Sequence, residues 1–234
     1  MNILGINIGH DSGATLIMNG KIIAAINEER LSRKKMHHGF PYLAIKEVLS
    51  IGKIFISHLN IVAVEGLKIM PQQEVGFEDK STDWKKKLIG TFGLEKYILG
   101  TEAGLSFTRM LLHFSVKKSK KEIADYFRKQ NFKGEIVHID HHLCHAATAY
   151  YTQPIDNGFA ITLDASGEGY CSRVYKCEKN ELKLIHSLYC YHSPAYYYAY
   201  ITKLLGFKPL RHEGKITGLA AFGKPERVSE ILSK

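Results

Sequence analysis

The sequence lacks paired cysteines and long apolar runs. Its four cysteines, Cys144, Cys171, Cys177 and Cys190, form no CxxC pair, and structural zinc sites usually bring such pairs. The apolar runs have the length of strands and are interrupted by charge, so we predict no transmembrane helix and no membrane partner. No basic segment followed by an apolar stretch opens the chain, which argues against a signal peptide. These absences predict a cytoplasmic protein with reduced thiols.

The chain carries an excess of positive charge. Lys and Arg number 32 against 23 Asp and Glu, which gives a formal net charge of +9. A basic surface can serve nucleic acid or phosphate-rich ligands. Much of the excess lies in residues 116–135, where helical spacing places Ile123, Tyr126 and Phe127 on one face and lysines on the other. We favour a solvated helix face and predict no nucleic-acid partner, because no RNA-binding motif of interleaved basic and aromatic residues is present.

Two segments of the sequence follow the same order of strand, polar glycine loop, strand, turn, strand and helix. The first copy is predicted as strands at Asn2–Ile8, Gly13–Met18 and Lys21–Asn27 and a helix at Tyr42–Ile51. The second copy is predicted as strands at Gly158–Asp164, Tyr170–Cys177 and Glu181–Cys190 and a helix at Ala195–Leu205. Dipeptides that favour positive φ close a hairpin in each copy, Asn19-Gly20 and Lys179-Asn180.

Between the two copies the pattern changes. Strands are predicted at Asn60–Glu65 and Glu135–Asp140. The stretch between them favours helices, with Thr82-Asp83 and Ser119 as caps. A further helix is predicted at His142–Tyr151. Parallel strands joined by helical crossovers are therefore expected after the first hairpin.

A hairpin followed by crossovers, used twice, describes an α/β fold of the actin-like ATPase class with two ribonuclease-H-like halves. We place the first half at residues 1–157 and the start of the second at residues 158–234. Each half needs further parallel strands and helices after its hairpin, and the second stops before they are reached. The sequence therefore predicts a duplicated fold whose second copy is incomplete.

The segment HHLCHAATAYY contains a candidate metal site. His141 and His145 are four residues apart, so on a helix they share one face and both rings can reach one ion. Asp164, at the end of the next predicted strand, is placed to add a carboxylate. Two imidazoles with carboxylate oxygen suit ferrous iron or another first-row divalent metal. The alternative is chance, since twelve histidines in the chain will produce some pair at this spacing.

The loop GHDSG contains the candidate catalytic residues. A glycine-flanked turn between strands exposes backbone N–H groups that can hold phosphate or another anion. His10 can donate a proton or a hydrogen bond to a carbonyl or phosphoryl oxygen, and Asp11 can accept a hydroxyl proton or orient His10. The alternative is a plain hairpin loop in which Asp11 is a local turn acceptor.

Three further motifs supply candidate ligand-binding residues. The basic run in EERLSRKKMHHGFP can hold a phosphate, although a solvated charge run is the alternative. DASGEG repeats the anion-binding loop in the second copy. In EGKITGLAAFGKP, glycines allow backbone and a lysine to approach a nucleotide, although a tight turn would need the same glycines. The residues chosen from these motifs are Lys35, Gly167, Glu168, Gly169, Lys215 and Gly218.

These motifs, in this order, resemble those of the carbamoyltransferase family of the nodulation and antibiotic-tailoring type. The likeness spans nearly the whole chain and corresponds to the amino-terminal, actin-like part of that family. It implies iron at the histidine pair, a phosphate-binding role for Lys35 through the family's RxK pattern, and oxyanion stabilisation by His10. It also implies that a separate domain makes carbamoyladenylate from ATP and carbamoyl phosphate, and that the carbamoyl group then passes to a small-molecule hydroxyl acceptor.

Members of that family are considerably longer. We therefore expect that this chain is truncated, that it is inactive alone, and that self-association or a second polypeptide supplies the missing region. Three other interpretations remain open: a tRNA threonylcarbamoyl-transferase-like protein that binds metal and nucleotide, an actin-like sugar kinase, and a non-catalytic binding module.

Overall fold

The computed structural model describes residues 1–65, 120–209, 211–224 and 226. Its first sheet has five strands in the order β3-β2-β1-β4-β5. Neighbours β1–β2 and β2–β3 are antiparallel, whereas β1–β4 and β4–β5 are parallel. The strands are β1 Asn2–Asn7, β2 Gly13–Met18, β3 Lys21–Asn27, β4 Ile61–Glu65 and β5 Glu135–Ile139.

This order is that of a ribonuclease-H-like half, and each predicted strand is confirmed to within one residue. The hairpin turn is also confirmed, because Asn19 and Gly20 both have positive φ, 50° and 79°. A two-residue turn of this kind matches the twist of the flanking strands. The caps predicted at Thr82-Asp83 and Ser119 lie outside the described residues.

Helices cover the first sheet. Helix α1 spans Glu28–Ser32 and was not predicted, α2 spans Tyr42–Gly52, and α3 includes residues 120–129. The fully buried Phe127 of α3 packs with sheet and α2 residues that include Leu4, Leu16, Ile45, Val48, Val62 and Val64. The apolar face predicted for the basic helix is thus buried, as its 3.6-residue spacing required.

The second sheet is an antiparallel meander of β6 Asn157–Gly167, β7 Tyr170–Glu178 and β8 Glu181–Tyr189. The predicted turn at Lys179 and Asn180 has positive φ at both residues, 52° and 63°. Helix α4, His141–Tyr151, packs on this sheet through Ala146 and Tyr150. Helix α5 spans Pro194–Leu204 and α6 spans Glu213–Ala220.

The meander repeats the first three strands of the five-stranded sheet and is followed by a helix, so the predicted duplication within an actin-like α/β fold is confirmed. The division between residues 157 and 158 stays a prediction. Gly206 follows α5 with a φ of 80°, the left-handed conformation in which glycine commonly ends a helix. None of the helices in the described ranges is both long and apolar enough to cross a membrane.

One local prediction was wrong. Residues 164–169 do not form an open glycine loop, because β6 continues to Gly167, which pairs with Tyr170. Only Glu168 and Gly169 form the turn, with φ of 52° and 92°. Lys215 and Gly218 lie within helix α6, and the ligand-binding role predicted for them stays a prediction.

Candidate metal centre

The site lies at the carboxyl edge of the five-stranded sheet. Register places Ile6 of β1 beside Val64 of β4, and Val64 beside His138 of β5. The loop after β1, the end of β4 and the start of α4 therefore leave the sheet at one edge. In α/β sheets with parallel strands, ligands bind at this edge.

Three predicted ligands lie together there. The Nε2 atom of His141 is 2.6 Å from Oδ2 of Asp164 and 3.1 Å from Nε2 of His145. His145 Nε2 is 4.0 Å from the same Asp164 oxygen, and all three atoms lie within 4.8 Å of one another. Metal–nitrogen bonds of about 2.1 Å at right angles put neighbouring ligands about 3.0 Å apart. The donor set therefore fits a first-row divalent cation.

The start of α4 fixes the direction of the two histidines. Asp140 is the N-cap residue, and its carboxylate accepts a hydrogen bond from the Leu143 backbone N–H at 3.0 Å. The other Asp140 oxygen is 2.7 Å from Nη1 of Arg173 on β7. His141 is the first helical residue, so its ring and that of His145 project from one face.

Gly167 makes room for these rings. A Cβ at this position would collide with the ring of His141 and would lie 3.0 Å from Nε2 of His142. Gly167 thus permits the close approach of β6 to α4, and the ligand-binding role predicted for Gly167, Glu168 and Gly169 stays a prediction. Asp164 is also engaged locally, since its Oδ1 accepts the Ala165 backbone N–H at 2.6 Å.

His142 is a structural residue. Its fully buried ring has Nδ1 2.8 Å from the Thr162 hydroxyl oxygen and Nε2 3.0 Å from the Tyr170 carbonyl oxygen. Burial lowers the pKa of this imidazole, so the neutral ring donates its Nε2–H to the carbonyl. The ring ties α4 to both strands of the β6–β7 hairpin.

Glu65 is a site residue that the sequence analysis missed. Its Oε1 is 2.5 Å from Nδ1 of His141, on the opposite side of the ring from Asp164. Hydrogen bonds to Asp164 and to Glu65 raise the pKa of the His141 imidazole to about 10. A signal was available, because an acidic residue closes the apolar strand IVAVE, which is expected to lie parallel to the strand before the histidine pair.

Glu168 forms a side-chain hydrogen bond with Asp140, the N-cap residue of α4. Burial, followed by the hydrogen bond and charge of Asp140, raises the pKa of the Glu168 carboxyl to about 7. The pKa of the Asp140 carboxyl is lowered, and Nη1 of Arg173 lies 2.7 Å from it, so Glu168 is the member of the pair that holds a proton more tightly. Burial also raises the pKa of the Cys144 thiol to about 12, which disfavours thiolate ligation from within the helix.

The GHDSG loop is held in place by the segment that precedes α2. Nδ1 of His10 is 3.0 Å from Oδ2 of Asp11, and both side chains are exposed, at 56% and 44%. The backbone N–H of the buried Ser12 donates a hydrogen bond to the His37 carbonyl oxygen at 3.0 Å, and the Ser12 hydroxyl oxygen lies 3.1 Å from Nδ1 of His37. Asn7 accepts the Gly9 backbone N–H at 2.6 Å. The loop therefore presents a paired histidine and aspartate to solvent.

The sequence model of the carbamoyltransferase N-terminus family matches residues 2–234. The chain belongs to this family. It is 29% identical to an uncharacterised protein of Synechocystis sp., over 99% of this chain and 36% of that protein. It is 23% identical to the nodulation protein NolNO of Sinorhizobium fredii, over 92% of this chain and 28% of that protein. The chain thus spans about a third of the length of these relatives.

A solved structure of YeaZ from Pseudomonas aeruginosa aligns with 80% of this chain and 64% of its own, at 13% identity. The TM-score of 0.38 is too low to support an argument. The family assignment therefore depends on the sequence match, and the fold on the strand order described above.

For the remaining candidate residues of this carbamoyltransferase-family chain, the contacts that the structure describes do not include His141, His145 or Asp164. Lys35 is exposed in the segment that holds the GHDSG loop. Lys215 is exposed on α6, with Nζ 6.0 Å from the centre of the Phe207 ring. Gly218 is exposed, with open space where a Cβ would lie. Their proposed roles in binding phosphate or nucleotide stay predictions.

Proposed function

We propose that this chain provides the transfer site of an O-carbamoyltransferase, in which a carbamoyl group passes from carbamoyladenylate to an acceptor hydroxyl. The observation that carries the proposal is the cluster of His141, His145 and Asp164 at the same edge of the sheet as the GHDSG loop, in a member of the carbamoyltransferase family. The proposal for the whole protein includes formation of carbamoyladenylate from ATP and carbamoyl phosphate.

In the transfer, the acceptor oxygen forms a bond to the carbamoyl carbon, and the bond between that carbon and the adenylate phosphate oxygen breaks. AMP leaves, and the hydroxyl proton must pass to a base. Asp11 accepts Nδ1–H of His10 at 3.0 Å, which leaves His10 Nε2 with a free lone pair. This contact supports His10 as the acceptor of the hydroxyl proton and Asp11 as its orienting group. The oxyanion-stabilising role expected of His10 stays a prediction.

His141, His145 and Asp164 would hold the divalent cation, which we propose to be ferrous iron. When bound, such a cation supplies Lewis acidity to a carbonyl or phosphate oxygen. As ligands of the cation, the two imidazoles would be neutral, so that Asp164 alone would supply a negative charge to it. That charge balance favours an anionic ligand such as the phosphate of an adenylate.

Metal binding and AMP binding test the proposal in sequence. Purified chain is loaded anaerobically with Fe(II), its metal content is measured, and AMP is titrated in. We expect bound iron and iron-dependent AMP binding, both lost in His145→Ala. The control is His186→Ala, which removes an exposed histidine of β8 and should change neither. Folded chain that binds no Fe(II), Zn(II) or Co(II) would overturn the metal site. Bound metal without AMP affinity would overturn transfer from an adenylate.

A further inference from the structure

Glu65 contacts the nitrogen of His141 that faces away from the other ligands. Its carboxylate lies 2.5 Å from Nδ1, while Nε2 of the same ring faces Asp164 at 2.6 Å and His145 at 3.1 Å. The Glu65 and His141 side chains are each 20% exposed. We propose that Glu65 is a positioning residue of the metal centre, which fixes His141 as the Nδ1–H tautomer so that Nε2 is offered to the cation. The inference depends on the metal site proposed above.

Geometry excludes Glu65 from the same coordination sphere while His141 is a ligand. The two nitrogens of an imidazole direct their lone pairs away from each other, on opposite sides of the ring. A carboxylate that is hydrogen-bonded to Nδ1 therefore cannot also reach a cation bound at Nε2 of that ring. Pairing of a carboxylate with the distal nitrogen of a ligating histidine orients the ring and increases the basicity of the ligating nitrogen.

The backbone that carries Glu65 suits this role. Glu65 ends β4, which pairs with β1 on one side and with β5 on the other. The preceding Val62 and Val64 are fully buried in the core of the sheet. Because β4 is hydrogen-bonded along both edges and packed on its core face, the backbone position of Glu65 is fixed. Functional groups on such rigid elements position the groups that they contact accurately.

The contact also joins the two sheets through one ring. Glu65 belongs to the five-stranded sheet, whereas Asp164 belongs to β6 of the second sheet. His141 lies between these two carboxylates and contacts both. A cation at Nε2 would therefore be held by one ligand, His141, whose orientation the first sheet controls through Glu65.

Metal affinity separates this role from a purely structural one. Glu65→Gln retains the length of the side chain and an oxygen that can accept Nδ1–H, but it removes the charge. We expect affinity for Co(II), followed by its visible absorption, to fall about 10–100-fold in Glu65→Gln, and the thermal midpoint of the metal-free chain to change little. The matched control is Glu135→Gln, at the exposed first residue of β5, which should leave affinity unchanged.

Wild-type affinity for Co(II) retained in Glu65→Gln would overturn the role of Glu65 and leave the metal site intact. Absence of Co(II) binding by the wild-type chain would overturn both. A second measurement needs no variant: the ¹⁵N chemical shifts of His141 in Zn(II)-loaded wild-type chain should report a protonated Nδ1 and a metal-bound Nε2. Metal bound at Nδ1 would overturn the inference. Because this measurement uses the wild-type chain, it still decides the question if Glu65→Gln does not fold.

Discussion

The two sheets of this protein are stabilised in different ways. The five-stranded sheet is covered by α2 and α3, and its core contains fully buried side chains such as Leu4, Val62 and Phe127. The three-stranded sheet has a smaller buried cluster beneath α4, and alternate residues of β6 are exposed, among them Phe159 at 66% and Leu163 at 73%. Apolar burial dominates the first sheet, and the second must draw on other contacts.

Those other contacts are polar and converge on the start of α4. His142 connects the helix to Thr162 and Tyr170, and Asp140 connects it to Arg173. The same few residues flank the candidate metal ligands. In the second sheet, therefore, the same hydrogen bonds determine both the stability of the sheet and the geometry of the site. In the first sheet, stability comes from the apolar core and is separable from the geometry of the site.

The largest effect is expected from the core of the first sheet. Phe127→Ala should destabilise the protein by about 3–5 kcal/mol, because it removes a fully buried ring and leaves a cavity among residues of α2 and β4. Urea denaturation followed by circular dichroism measures the change. A loss below about 1 kcal/mol would contradict the view that this core dominates the first sheet.

The second-largest effect tests whether polar contacts stabilise the second sheet. His142→Ala should destabilise the second sheet by about 1–3 kcal/mol, because the Tyr170 carbonyl and the Thr162 hydroxyl lose a buried partner. Hydrogen exchange should show loss of protection in β6 and β7 and unchanged protection in β4. Equal loss in both sheets would contradict their separate stabilisation. The exposed-histidine variant His186→Ala is the control.

A steric change at Gly167 should affect the site more than the fold of the first sheet. Gly167→Ala places a methyl group against the ring of His141, so either the ring or β6 must shift. Overpacking of this kind costs about 1–3 kcal/mol, and we expect weaker Co(II) binding together with lower stability. Gly158→Ala is the control, since its Cβ would meet only Ile155 at 3.7 Å. Unchanged Co(II) affinity would contradict the prediction that close packing of Gly167 against the His141 ring is needed for metal binding.

Much of this could be predicted from sequence because the signals are local. The turns at Asn19-Gly20 and Lys179-Asn180 and the four-residue spacing of His141 and His145 each lie within one short segment, and the structure has them as predicted. The Glu65 contact joins residues 76 apart along the chain. No local spacing encodes such a contact, because it depends on the order of the parallel strands.

The prediction for residues 164–169 was wrong for a related reason. Glycine and polar residues favour a loop in isolation. Here Gly167 is required for close packing against the ring of His141, and the ladder with β7 continues past Asp164 to the pair Gly167 and Tyr170. The conformation of residues 164–167 is determined by the pairing with β7 and by the packing against His141, and local composition does not encode either contact.

Stability should depend on pH through Glu168. Its pKa is raised in the folded state to about 7 from an ordinary 4.5, so the folded protein binds this proton more tightly than the unfolded chain does. The resulting stabilisation is complete below pH 4.5 and is lost as pH rises through about 7. We expect Glu168→Gln to remove this dependence and to gain stability relative to wild type between pH 5 and pH 8, measured by thermal denaturation on metal-free protein. Parallel pH curves for the two proteins would contradict the raised pKa of Glu168.

The smallest effect on folding is expected at the exposed face of β6. Phe159→Lys removes a ring of the same size as that of Phe127. Because 66% of Phe159 is exposed, we expect the free energy of unfolding to change by no more than about 0.5 kcal/mol. The neighbouring alternate residue Ile161 is also exposed, at 64%, and contiguous apolar surface of this kind favours association. The expectation of self-association is tested by the same variant, because a lysine in this face should lower any dimer content measured by sedimentation velocity. If wild type and variant sediment alike as monomers, self-association through β6 is wrong; if Phe159→Lys unfolds the chain, the ring contributes to a core and the contrast between the two sheets fails.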